Sequence, residues 1–209
     1  CLTQPYSDEH TIQAAVEMNQ MLHVYLSVLN TNPFTTQILT IATCMFVGDI
    51  ISQTAVERAT AFEVKRAARL CLIGLFYTGP VAVTAFAFLE WLVGDGSIIT
   101  TLTKVALSQC CVAPLTTLGF LVVSGALQRL PWVSIKHIVS TNYVAILKSS
   151  YVFWPAAEIV ITQLAEVNHR PVWGAVASLF WNVYVSWKTN REVAPQRRQP
   201  TPAEKHRVE

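Results

Sequence analysis

Apolar residues run through this chain in long blocks separated by short polar stretches, and the blocks have the length of helices rather than strands. Residues 1–20 are polar and mixed and predict a loose arm. From Met21, the positions Leu22, Tyr25, Leu26 and Leu29 recur at helical spacing with His23 and Asn30 between them, as in a short amphipathic helix at a membrane surface. Asn32-Pro33 then reads as a helix start, because Asn suits the cap and Pro the first turn. Pro33–Val56 carries one charge, Asp49, and exceeds the ~20 residues a bilayer crossing needs. Glu57–Arg69 is a charged break, and Leu70–Val93 is a second span with Glu90 near its end. Gly94-Asp95-Gly96 predicts a tight turn. Ile98–Leu127 is a third span, with Lys104 placed to snorkel toward the headgroups. Arg129–Lys148 is polar and basic, and Pro171–Trp187 is a short, uncharged fourth span. Ser149–Val167 is apolar but holds Pro155, Glu158 and Glu166. A fifth crossing, a re-entrant helix and an interfacial helix all remain open for it.

The pattern predicts an all-α integral membrane bundle of about four transmembrane helices, with five as the alternative, plus amphipathic interfacial helices. Residues 21–188 form a single membrane domain, and 189–209 are a basic, disordered tail. Composition agrees: charged residues are 13% of the chain, hydrophobic ones 52%, and mean hydropathy is +0.39. A soluble domain carries roughly 25% charged residues. The lipid bilayer is therefore the first partner. A net charge of +2 gives no reason to expect nucleic acid.

Basic residues cluster at Arg58, Lys65, Arg66 and Arg69, at Arg129 and Lys136, and in the tail from Lys188 onward. The first two clusters fall on one side of the membrane. The tail joins them with five crossings and opposes them with four, so the charge rule favours five. Trp91, Trp132, Tyr151, Trp154, Trp173 and Trp187 sit near expected span ends, as an aromatic belt would. The chain opens on Cys1, so it is expected to start inside a longer product or after processing. The stretch before residue 30 holds no Lys or Arg and offers neither signal peptide nor mitochondrial presequence.

No catalytic signature is present, the five cysteines form no C-x-x-C pair, and the histidines are scattered. No enzyme activity, metal or cofactor is expected. The informative residues are polar ones inside apolar runs. Asp49 and Gln53 lie four apart on one helix face with Ser52 beside them, while Gln109 and Asn182 lie in later spans. A carboxylate at the bilayer centre costs ~2.5–3.5 kcal/mol, so Asp49 faces the bundle interior or water. Two readings stand. These side chains bond helix to helix, or Asp49, Gln53, Gln109 and Asn182 line a path for small solutes. Gly79, Pro80, Pro114 and Pro155 are placed to shape the helices.

Several motifs together carry a family resemblance. Trp181-Asn182-Val183-Tyr184-Val185-Ser186-Trp187 resembles a W-N-x-Y-x-S-W signature. Trp154-Pro155 is similar to the same family's W-P pair, and Arg170 to its arginine before the last span. Tyr25-Leu26, Leu29 and Pro33, then Gly48-Asp49 with Gln53, Gly79-Pro80, and Gln109 with Pro114 follow its remaining motifs in order. The family is that of the twenty-two-kilodalton peroxisomal membrane protein and Mpv-seventeen. The chain departs from it at Ser108, where Asp is usual, and at Glu158 and Ile161-Thr162, where Gln and Asn-Phe are usual. The resemblance implies a small multi-pass protein of an organelle membrane, the mitochondrial inner membrane first and the peroxisomal membrane as alternative. It further implies channel or pore behaviour linked to metabolite and organelle homeostasis, with small solutes and a second copy of the chain as candidate partners. The rival expectation is a non-conducting structural or interaction protein.

Overall fold

The computed structural model describes residues 5–59, 61–94, 97–165 and 169–197. Every described element is helical: α1 (Pro5–Thr31), α2 (Pro33–Val56), α3 (Val64–Val93), α4 (Ile98–Leu127), α5 (Trp132–Leu164) and α6 (Arg170–Arg197). Two units divide at residue 37. In the first, α1 is helical from Pro5, so most of the expected loose arm is helix; residues 1–4 lie outside the described residues. Leu22, Tyr25 and Leu26 are half-buried and Leu29 buried, which is the predicted apolar face. The chain breaks at Asn32 and restarts with Pro33 as the first residue of α2, where its missing N–H costs nothing.

The helices α2, α3, α4 and α5 are each long and apolar enough to cross a membrane, and all of them from Ile38 onward belong to the second unit. At 1.5 Å per residue, even the 24-residue α2 spans about 36 Å against a hydrocarbon core of ~30 Å. The outside of the bundle is apolar: Phe76, Val133 and Val152 are more than 70% exposed. The inside holds Asp49, Ser52 and Asn142 at 0%. That inverted polarity is what a lipid solvent selects.

Three expectations need correction. The second span begins at Val64, so Lys65, Arg66 and Arg69 stand on the first turns of α3, and the charged break shrinks to 57–63. The basic stretch Arg129–Lys148 is not a loop. Only Gln128–Pro131 connect α4 to α5, with Arg129 in the left-handed region at φ 56°, and α5 then runs unbroken to Leu164. Its buried Ile135, Ile138, Asn142 and Ile146 repeat at helical spacing beneath the exposed charges, which is why the stretch reads as polar yet packs as helix. The fourth span by length and apolarity is therefore Trp132–Leu164, with Pro155 inside it, and Ser149–Leu164 is its second half rather than a separate crossing. The stretch expected as the fourth span is instead the front of a fifth long helix, α6, which continues past Trp187 to Arg197. Glu166, Asp95, Gly96 and residues 198–209 lie outside the described residues.

Gly79-Pro80 and Pro114 coincide with local widening of their helices, whereas Pro155 lies within the unbroken α-helix α5. One π-helical turn precedes Gly79-Pro80 (Gly74–Thr78) and another precedes Pro114 (Ser108–Val112). A proline ring collides with the carbonyl four residues back, and a wider turn relieves that collision while its longer-range N–H bond keeps the backbone paired. At Gly79 this bond reaches Gly74 O. A third π turn, Ser52–Val56, ends α2. Gly94 ends α3 at φ +75°, where only glycine is unstrained. Ser97 and Thr100 then cap α4 reciprocally.

Packing of α2 on its neighbours depends on two glycines. A Cβ on Gly74 would lie 2.6 Å from Ala42 Cα, and one on Gly48 would lie 2.9 Å from Asn182 Cβ and 3.2 Å from backbone atoms of α6. Cys44 Sγ donates to Ala175 O at 3.4 Å on the same side. Gly74→Ala and Gly48→Ala are each expected to lower stability by about 1–3 kcal/mol through overpacking against backbone that cannot yield. Thermal unfolding in detergent checks this; an unchanged midpoint for both would contradict the close approach.

Candidate functional site

Where α2 ends, its one intramembrane charge meets a guanidinium. Arg66 Nε lies 2.8 Å from Asp49 Oδ1, and the side chains are 7% and 0% exposed. Ser186 Oγ on α6 donates to the same oxygen, and Gln53 Nε2 donates to Oδ2 at 2.8 Å. The carboxylate is thus held from three directions, with donors from α2, α3 and α6. Arg66 is held in turn. Its Nη1 and Nη2 fork onto Glu57 Oε2 and Oε1 at 2.8 and 2.5 Å, and Nη2 also donates to Ser186 Oγ at 2.9 Å. Glu57 further accepts from Ser52 Oγ at 2.9 Å and from Asn190 Nδ2 at 3.0 Å.

Gln53 explains the choice of an amide. Its Nε2 also donates to Glu63 O (3.3 Å) while its Oε1 accepts from Glu63 N (2.8 Å), so one side chain clips the returning loop in place. Only a group that is donor and acceptor at once can do this. The π turn at Ser52–Val56 lets Ser52 and Gln53, adjacent in sequence, both point inward at 0% and 1% exposure.

The other expected path-lining residues lie elsewhere. Asn182 turns back on its own helix, donating to Ser178 O at 2.8 Å, one turn before Ser186. Gln109 accepts from Ser150 Oγ on α5 at 3.3 Å. Asp49 and Gln53 therefore belong to one cluster, and Gln109 to a separate α4–α5 contact. The signature residues divide between two tasks. Trp154 and Trp181 pack at 6.0 Å, with Phe153 stacked on Trp181 at 5.4 Å and Tyr184 beside it at 5.5 Å. Tyr184 Oη shares a 2.8 Å hydrogen bond with Ser149 Oγ. These contacts join α5 to α6. Trp187 packs on Tyr184 at 6.3 Å and lies under Arg191. Arg170 donates to Thr162 O at 3.1 Å and closes the α5–α6 connection. Ser186 alone of the signature reaches Asp49. Among the described residues no group of His, Cys, Asp and Glu is arranged to hold a metal.

Sequence reasoning treated Arg66 as a loop charge and missed Glu57 and Asn190 as partners. The available signal was the need of a buried Asp49 for a counter-charge, with Arg58, Arg66 and Arg69 following within one connection and the start of the next helix.

The comparisons follow the same residues. The Mpv17/PMP22 family model matches residues 125–186, which run from the end of α4 to Ser186. The mitochondrial inner membrane protein Mpv17 of Danio rerio is 30% identical over 169 residues, covering 80% of this chain and 96% of that protein. The chain belongs to the Mpv17/PMP22 family. Protein SYM1 of Gibberella zeae is 30% identical over 81% of this chain and 98% of its own length. PXMP2/4 family protein 2 of Dictyostelium discoideum is 25% identical over 81% of this chain and 91% of its own length. No solved structure matches. With its four apolar helices, this Mpv17/PMP22 family member is a multi-pass protein of the mitochondrial inner membrane.

Breaking a buried ion pair on one side leaves an unanswered charge. Asp49→Ala and Arg66→Ala are each expected to cost about 3–5 kcal/mol. The double variant should cost less than their sum, as the coupling of contacting residues requires. Denaturation in detergent measures all three, and additive effects would contradict the pairing. Glu57 gives a pH test. Burial by itself raises its carboxyl, but hydrogen bonds from Arg66 and Ser52, the guanidinium charge and Asn190 outweigh burial and hold it below the ordinary range. Its folded value is the lower one, so its stabilisation is present above the unfolded value of about 4.3 and is lost as pH falls through the folded value. Glu57→Gln should flatten the acid limb of the stability profile.

Proposed function

We propose that the chain provides a path for small solutes across the mitochondrial inner membrane, running through the interior of the bundle and closed at the Asp49–Arg66–Glu57 cluster. The observation that carries this reading is the inverted polarity of the fold, with Asp49, Gln53, Asn142 and Ser186 inside and large apolar side chains outside. Passage requires the Asp49–Arg66 pair to part, and the displaced charges would then face the solute, so the cluster acts as gate and selectivity element together. No catalytic step is part of the proposal, and Gln109 and Asn182 contribute at other levels of the bundle.

The saturated bonding of Asp49 favours a second reading, a non-conducting structural protein in which the cluster only clamps α2, α3 and α6. Purified protein in planar bilayers and solute uptake by proteoliposomes separate the two. The path reading expects conductance, and Asp49→Asn, which keeps the shape and removes the charge, should change ion selectivity in protein that remains folded. Absence of both conductance and uptake in the unaltered protein overturns it. Loss of folding in Asp49→Asn, with unchanged permeability of the surviving protein, supports the clamp.

A further inference from the structure

The prolines within α3 and α4 stand level with each other. Glu90 Oε2 and Lys104 Nζ meet at 2.6 Å, and Tyr77 Oη donates to Leu115 O at 3.3 Å. In that antiparallel register Pro80 of α3 falls opposite Pro114 of α4. We propose that this pair is a hinge, on which the half of the α3–α4 hairpin beyond it, residues 80–114, swings away from α5 as one arm.

Both helices carry the chemistry of a joint at this level. Each proline removes a backbone donor, and the π turn before each holds a wider bond instead: Gly79 N–H to Gly74 O, and Ala113 N–H to Ser108 O. Proline and π turns are where helices bend. Tyr77 forms the pivot. A Cβ on Gly119 would overlap its hydroxyl, so glycine at that position lets α3 and α4 touch there. Thr78, in the same π turn, has a buried Oγ1 with no hydrogen-bond partner. That unmet hydroxyl raises the energy of the present bend and narrows its gap to another.

Packing differs on the two sides of the hinge. On one side, Ala113–Leu127 buries Thr117, Phe120, Leu121, Ser124 and Gly125, and Gly125 leaves no room for a Cβ beside Ile135 of α5. On the other, Ile98–Leu107 buries no residue, and Phe88, Leu92, Ile99 and Leu102 are exposed. The Glu90–Lys104 pair joins the two legs of the arm, so they move together. The arm's polar ties to α5 include the bond from Ser150 Oγ to Gln109 Oε1 at 3.3 Å and the attraction of Lys104 for Glu158. Parting the arm from α5 in lipid exchanges protein contacts for acyl-chain contacts. Apolar burial, which would oppose that motion in water, therefore opposes it little here. The hinge needs no solute to pass and is independent of the path reading.

The test uses the full chain in nanodiscs, with spin labels on genetically encoded azide residues so that the native cysteines stay in place. One label pair sits at Leu92 on the arm and Val160 on α5. A control pair sits at Leu72 and Val144, on the other side of the hinge; all four positions are exposed. From Pro80 to Leu92 a helix rises ~18 Å, so a ~20° change of bend carries Leu92 about 6 Å. Pulsed electron spin resonance is expected to show two distances for the first pair and one for the control. Gln109→Leu, which removes the bond to Ser150, should shift the ratio about fivefold toward the longer distance. Pro80→Ala combined with Pro114→Ala should leave one distance, and Gln109→Leu decides alone if that variant fails to fold. A second distance that emerges only in Gln109→Leu still supports the hinge. One distance in the unaltered protein that Gln109→Leu leaves unchanged overturns it, as does equal spread in the control pair.

Discussion

A single carboxylate in an apolar bundle sets the terms for much of this fold. Asp49 is fully buried, and its burial is tolerable only because Arg66, Gln53 and Ser186 surround it with donors. Those partners come from α2, α3 and α6, so satisfying one residue fixes the relative position of three helices. In lipid, apolar surface provides little drive for one helix to choose another, and specific hydrogen bonds and close small-residue contacts take over that task. The cluster supplies the bonds, and Gly48 and Gly74 supply the close approach.

The cluster is also where α6 is tied in. Its aromatic face packs on α5 through Trp181 and Tyr184, and its polar face reaches Asp49 and Glu57 through Ser186 and Asn190. A helix less apolar than its neighbours is thereby kept beside them. The family match covers the residues of this tie, since it runs through Trp154, Trp181, Tyr184 and Ser186. A small cavity beside the cluster has Arg66 and Ser186 in its wall, together with Arg69, Thr189 and Asn190.

Much of the architecture was legible in the chain itself. The α2 and α4 boundaries follow directly from where apolar runs meet Pro33, Glu57, Ser97 and Gln128, because a 30 Å apolar slab tolerates few charges. Composition alone excludes an ordinary aqueous core. The prolines announced local distortion at Gly79-Pro80 and Pro114, and Asp49 announced a buried polar site. What misled was the reading of charge as loop. Lys65, Arg66 and Arg69 on α3, and Lys136 and Lys148 on α5, occupy helix, because one face of a helix near the membrane surface can carry charges while the other is buried.

Sequence by itself determined that this chain is helical, that lipid surrounds it, and that Asp49 and Gln53 share an inward face. These follow from local periodicity and from the cost of placing charge in hydrocarbon. Only the tertiary structure decided which cation answers Asp49, that Gln109 and Asn182 stand apart from it, and that Thr189 and Arg69 border a common cavity. Those facts depend on how helices far apart in sequence align side by side, and a spacing pattern within one helix holds no information about the rotation and register of its neighbours.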